Sequence, residues 1–185
     1  MRAVDRENQR YNDGSINPIA LEEEIMMSLL NKEGARILDI GCGIGTIGLL
    51  LKSKGHSVVG VDFSRVAIEK SNNSGLDAIE VDVDESGLPF EDEQFDVVWA
   101  GDIVEHVFDP IALLMEGVRT MKDDGIMLFS VPNDITLKRR LKICMYGISP
   151  QTEVYRGYGQ CKHHTVMSYE LLMYFISQSG LQAEN

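Results

Sequence analysis

Residues 37–51, ILDIGCGIGTIGLLL, set an acidic side chain inside an apolar run and follow it with alternating glycines. Glycines let a chain turn sharply out of a strand and let its backbone approach a ligand with no side chain in the way. Two registers fit. Gly43-Ile44-Gly45-Thr46-Ile47-Gly48 matches the G-x-G-x-x-G turn that cradles a dinucleotide. Asp39-Ile40-Gly41-Cys42-Gly43-Ile44-Gly45 instead places a carboxylate just ahead of three alternating glycines. A dinucleotide site also uses an acidic residue about 20 positions after its first glycine, and Asp62 in VVGVDFS meets that spacing from Gly43. Asp62 therefore leaves both registers open, and Asp39 separates them. A carboxylate in an apolar strand is costly unless a cation or backbone N–H groups accompany it. It would repel a pyrophosphate and accept a ligand carrying an ammonium and a sulfonium.

Further candidates lie downstream. Asp82 and Val83 stand in EVDVDESGLPF, Glu105 and His106 in DIVEHVFDP, and Cys161-Lys162-His163-His164 carries three metal-ligand types. A histidine beside a carboxylate can take a proton from an acceptor or simply pack at a helix start. The Cys/His group has no distant fourth ligand and is read as a loop, with no metal expected. Cys42 is read as a small packing residue of the glycine turn.

The elements that must position these groups alternate between short apolar runs and amphipathic segments, which is the α/β pattern. Helices are expected over 19–31, 45–54, 64–73, 110–121 and 168–179, with strands at 36–40, 57–61, 78–81, 95–100 and 126–131. Ser64 and Asp109 supply N-caps, Pro110 suits a first helical turn, and Asp124-Gly125 is expected to end one helix and turn into the next strand. Residues 84–94 read as a polar loop, and 181–183 as the start of another strand. Residues 135–146 form a basic amphipathic segment with Leu137, Leu141, Cys144 and Met145 on one face. That face either covers the body of the protein, or the segment offers a basic patch to a phosphorylated substrate or an anionic membrane.

Composition narrows the function classes. Seventeen basic against 29 acidic residues give a net charge of −12, which opposes binding to a phosphate backbone and excludes nucleic acid as a default partner. Three cysteines at unrelated spacings argue against a disulfide framework and for a reducing, cytoplasmic setting. No apolar run is long enough for a transmembrane segment. At 185 residues a single domain spanning 1–185 is expected.

Over most of its length the sequence resembles the class I S-adenosylmethionine-dependent methyltransferases. The family's first motif, an acidic residue and three alternating glycines, matches Asp39, Gly41, Gly43 and Gly45 without a gap, with Cys42 inside it. The resemblance implies that Asp62 takes the ribose hydroxyls with Phe63 beside it. It also places Asp82 near the adenine amino group, Val83 against the adenine, and Gly101 and Asp102 at the cofactor. It puts His106 in the pocket beside the transferable methyl as a candidate base, and Asn133 at the acceptor side. Segment 133–166 would be an acceptor-side insertion or lid, contacting substrate through Tyr155, Arg156, Tyr158, His163 and His164. The implied fold is a Rossmann-like, doubly wound three-layer α/β sandwich of strand order 3-2-1-4-5-7-6, mostly parallel. Its closing antiparallel hairpin would be incomplete here, leaving a sheet edge open to a homodimer. The implied reaction moves a methyl group from S-adenosylmethionine, leaving S-adenosylhomocysteine, to an oxygen, less readily nitrogen or carbon, of a small molecule or glycan. The Tyr158 to His163 spacing leans toward saccharide acceptors. A non-catalytic methyltransferase-like module and a nicotinamide-dependent oxidoreductase are the alternatives.

Overall fold

The computed structural model describes residues 21–133, 135–146 and 164–184. Five strands form one sheet: β1 (Arg36–Ile40), β2 (Ser57–Asp62), β3 (Asp77–Glu80), β4 (Phe95–Gly101) and β5 (Met121–Ser130). Their order is β3-β2-β1-β4-β5 and every pairing is parallel. This reproduces the first five places of the expected order. The antiparallel hairpin is not among the described residues, and within them β5 is an edge.

Parallel strands need crossover helices, and these cover the sheet. Side chains alternate along β1 and β4 to serve both faces. Ile37, Val97 and Trp99 pack with Met26 of α1 (Leu21–Leu29) and with Ile47 and Leu51 of α2 (Thr46–Ser53). Leu38, Ile40, Val98 and Ala100 pack on the other face with Leu113 and Leu114 of α5 (Pro110–Thr120) and Phe175 of α7 (Tyr169–Ser179). Between them α3 (Arg65–Asn73) follows β2, and α4 (Val83–Ser86) is a single turn after β3. Helix α6 spans Leu137–Tyr146.

Local capping chemistry sets the helix starts. Ser64 Oγ accepts from Ala67 N at 3.2 Å, Asp109 Oδ1 from Ala112 N at 3.0 Å, and Ser168 Oγ from Leu171 N at 3.1 Å. Four expectations are corrected. Helix α5 ends at Thr120, close to its expected end, but Asp124-Gly125 is not the turn between it and the next strand, because β5 begins pairing at Met121 opposite Phe95; between Phe95 and Val97 the partner jumps from Met121 to Ile126, so Asp124-Gly125 lies in a bulge of β5. The loop 84–94 starts with the helical turn α4 because Asp82 caps it, its side chain accepting from Asp84 N. Residues 181–184 form no strand: Gly180, at φ 82, closes α7, and no described strand runs beside them to share hydrogen bonds. The apolar face of α6 does not act as a cover, since Leu137, Leu141 and Met145 are 73%, 53% and 65% exposed.

The approach to β4 is pinned by one side chain. Arg119 donates to Phe90 O, Leu88 O, Asp92 Oδ1 and both Glu116 carboxylate oxygens, and Glu116 Oε2 in turn accepts from Leu88 N. A lysine cannot reach this many acceptors from one planar head group. Arg119→Met is expected to cost about 2 kcal/mol in urea unfolding, and Arg119→Lys to recover little of it. A midpoint equal to that of the unsubstituted protein would refute the clamp.

Candidate active site

All five strands point the same way, so their C-terminal ends form one rim. The order reverses between β1 and β4, and ligands of open α/β sheets bind in the crevice at such a switch point. The chain leaves β1 there through Gly41, Gly43 and Gly45, with φ of 76°, 53° and 83°. All three alternating glycines are left-handed, which strains any residue with a Cβ, so the register beginning at Asp39 is the one the backbone uses. Gly48 has a different task. A Cβ there would lie 2.7 Å from Leu76 Cδ2 and 3.3 Å from Asp39 Oδ2, so its bareness lets α2 close onto β1.

Asp62, at the end of β2, holds the turn. Its Oδ2 accepts from Gly43 N at 2.9 Å and its Oδ1 from Ser64 N at 2.8 Å, while Gly41 N and Cys42 N donate to Val61 O at 2.8 and 3.0 Å. A carboxylate offers about four acceptor positions, which suits it to bind several N–H or O–H donors at once. Phe63 follows, half-buried.

Asp39 lies on the α2 side of β1, 3% exposed, and its Oδ2 has no hydrogen-bond partner among the described residues. Burial pushes its pKa up to about 7, reinforced by the charges of Asp62 and Glu23; the Gly48 backbone N–H works weakly the other way. Burial, with Asp39 and Asp62 adding to it, also drives the Cys42 thiol well above the usual range, so Cys42 stays protonated and packs as the sequence suggests.

The other wall is the loop after β4. Ile103 lies on the glycine turn, where a Cβ on Gly41 would be 3.1 Å from its Cδ1. Glu105 is 1% exposed and burial raises its carboxyl to about 7, with the Asp102 charge adding a smaller push. His106 is half-exposed, its Nε2 3.9 Å from Glu105 Oε1. Glu105 O accepts from His164 N at 2.8 Å and Thr165 N at 3.2 Å, and the His164 ring lies 4.4 Å from that of Phe108. The structure thus brings Asp39, Gly41, Gly43, Gly45, Cys42 and Asp62 together, and joins Glu105 to His164. Asp82 is exposed, its side chain engaged in capping α4, and Val83 is half-buried in that turn. Asn133 is exposed and accepts from Ile135 N through its own Oδ1. Tyr155, Arg156, Tyr158, Cys161 and His163 lie outside the described residues. Among the described residues no group of His, Cys, Asp and Glu is arranged to hold a metal.

Sequence reasoning passed over Ile103 and the contact that Ser130 makes. Ser130 ends β5 and pairs with Asp102. Its signal was a lone hydroxyl closing the apolar run IMLFS, which becomes informative only once β4 and β5 are known to be neighbours.

A family model described as "Methyltransferase domain" matches residues 9–169. The chain belongs to this family. The methyltransferase domain is 31% identical over 141 residues to a ubiquinone biosynthesis O-methyltransferase of Alkalilimnicola ehrlichii, covering 72% of this chain and 53% of the relative. It is 30% identical over 177 residues to one of Bordetella avium, covering 91% of this chain and 67% of the relative. A SAM-dependent methyltransferase structure from Thermotoga maritima has the same fold, with TM-score 0.69 and 23% identity over 88% of this chain and 71% of the other. The chain thus spans only a little over half of the first relative.

Two raised carboxyl pKa values fix a pH dependence. Between their ordinary range near 4 and their folded values of about 7, Asp39 and Glu105 bind protons in the folded state that the unfolded chain releases. Stability of the ligand-free protein should therefore fall as pH rises from 5 to 8, by this linkage about monotonically. Asp39→Asn should flatten that slope; thermal midpoints that ignore the substitution at every pH would contradict the assignment.

Proposed function

We propose that this methyltransferase domain binds S-adenosylmethionine along the rim of β1, β2 and β4 and transfers its methyl group to an oxygen of a small molecule. The observation that carries the reading is the buried carboxylate of Asp39, with Oδ2 unpartnered among the described residues, beside Asp62 and a turn of three left-handed glycines. Such a site suits a cationic ligand with hydroxyls and disfavours a pyrophosphate. When bound, the cofactor supplies a methyl group activated by a sulfonium. Asp62 accepts from the ribose hydroxyls, Phe63, Asp82 and Val83 border the adenine, and Gly41, Gly43, Gly45, Gly101 and Asp102 line the rest. Oxygen as the acceptor atom, and a small molecule ahead of a glycan, are supported by the two relatives being O-methyltransferases.

On the acceptor side, His106 takes the proton that an acceptor hydroxyl gives up. Buried Glu105 and the hydrogen bonds that His164 N and Thr165 N donate to its carbonyl oxygen hold its loop. The whole of 1–185 acts as one domain with 133–166 as its acceptor-side lid, whose contacts include Asn133, Tyr155, Arg156, Tyr158, His163 and His164. Free Cys42 and Cys144 fit a reducing compartment such as the cytoplasm, and no described helix is long and apolar enough to cross a membrane. The β5 edge suits pairing with a second copy.

Calorimetric titration with S-adenosylhomocysteine should show micromolar binding that Asp62→Ala weakens by about 100-fold or more, two hydrogen bonds to a carboxylate being lost. NADH should not bind. Absence of S-adenosylhomocysteine binding in folded protein would overturn the cofactor reading. With an acceptor in hand, His106→Asn is expected to lower kcat by about 10²- to 10⁴-fold while leaving S-adenosylhomocysteine affinity intact. An unchanged kcat would remove His106 as the base.

A further inference from the structure

Asp102 is one of two non-glycine residues with positive φ among the described residues, at 48°. It is the residue at which the chain leaves β4 and enters the loop carrying Ile103, Glu105 and His106. A side chain in this region needs something to hold it, and Asp and Asn tolerate it best because they bond locally. Here the partner comes from the neighbouring strand. Ser130 Oγ donates to Asp102 Oδ1 at 2.7 Å, and Asp102 N donates back to Ser130 Oγ at 3.1 Å and to Ser130 O at 3.3 Å. Register places Ser130 opposite Gly101, so this reciprocal contact closes the β4·β5 ladder at its C-terminal end.

We propose that Ser130 is a positioning residue: its clasp on Asp102 fixes the left-handed exit from β4 and thereby seats the loop 102–108 over the cofactor turn. Three contacts show what the exit angle controls. Ile103 lies against Gly41, with 3.1 Å between its Cδ1 and the position a Cβ would take. His106 N donates to Ile103 O at 2.9 Å, so the next turn hangs on the same residue. Phe108 N donates to Asp84 Oδ1 at 3.0 Å, which ties the far end of the loop to the turn after β3. The loop is thus anchored at both ends, and the Ser130 hydroxyl holds the end nearer the glycine turn. Ser130 reaches the rim through Asp102 and through its ladder partner Gly101. One oxygen of Asp102 is committed to Ser130, so Asp102 contributes to the site chiefly by its backbone conformation.

The assignment of a purpose to this clasp rests on the cofactor reading above, and two readouts keep the failures apart. The full chain is compared with Ser130→Ala, Ser130→Thr and Asp102→Asn, all checked for an unchanged thermal midpoint. Amide hydrogen exchange over residues 102–108 reads the loop without any ligand, and calorimetry with S-adenosylhomocysteine reads its consequence. Ser130→Ala is expected to speed exchange in that segment by about 3- to 10-fold and to weaken binding by a similar factor, the loss of one hydrogen bond to a charged, exposed group. Ser130→Thr keeps the hydroxyl and should stay within about twofold of the unsubstituted chain in both readouts; Asp102→Asn keeps an acceptor that tolerates positive φ and is read by exchange alone, where it should stay within about twofold. Unchanged exchange and affinity in Ser130→Ala, or equal losses in Ser130→Ala and Ser130→Thr, would overturn the proposal. Failure of the unsubstituted chain to bind S-adenosylhomocysteine would overturn the cofactor reading instead, and exchange alone would then decide whether the clasp holds the loop.

Discussion

Two carboxylates that would repel each other are kept at the adjacent ends of β1 and β2, and the rim is organised around that constraint. Asp62 meets it by binding backbone: Gly43 N and Ser64 N neutralise part of its charge and lock the glycine turn to β2. Asp39 has less help and responds by holding its proton to about pH 7. The glycines follow from the same geometry. Only a bare, left-handed backbone can wrap the Asp62 carboxylate at hydrogen-bond distance, and only a bare Gly48 lets α2 approach Asp39 so closely. Two carboxyl groups so close on one rim disfavour an anion there.

The loop after β4 is built by longer-range contacts. The loop after β4 starts at the strained Asp102, lays Ile103 on the glycine turn, and ends at Phe108 against Asp84 and His164. Backbone bonds from His164 and Thr165 to Glu105 then attach the segment preceding α7 to the same loop. The loop after β4 thus touches both the glycine turn and the segment preceding α7.

What the sequence revealed depended on how local the cause was. Strand β1, the N-caps at Ser64 and Asp109, and the Asp39 to Gly45 turn rest on neighbours in sequence, and they could be read directly. The bulge in β5 could not, because Met121 pairs with Phe95 only after β4 and β5 are side by side. The strand expected at 181–183 has apolar character but no described neighbour to pair with. Asp82, which the resemblance places near the adenine, has its side chain capping α4, and the acidic run around it did not mark that role. The Ser130–Asp102 and Glu105–His164 contacts join β4 and its following loop to β5 and to the segment preceding α7, so no spacing rule pointed to them. Helix α6 had the period of a cover helix, and its exposed leucines show that period alone does not say what lies opposite.

The central claim is that burial holds a proton on Asp39 to about pH 7 and that binding of a cationic ligand releases that proton to solvent. Titrating the protein with S-adenosylmethionine at pH 7 in buffers of different ionisation enthalpy counts the protons exchanged on binding. The account predicts release of a substantial fraction of one proton, abolished in Asp39→Asn. Binding with no proton release, or release that survives Asp39→Asn, would contradict it.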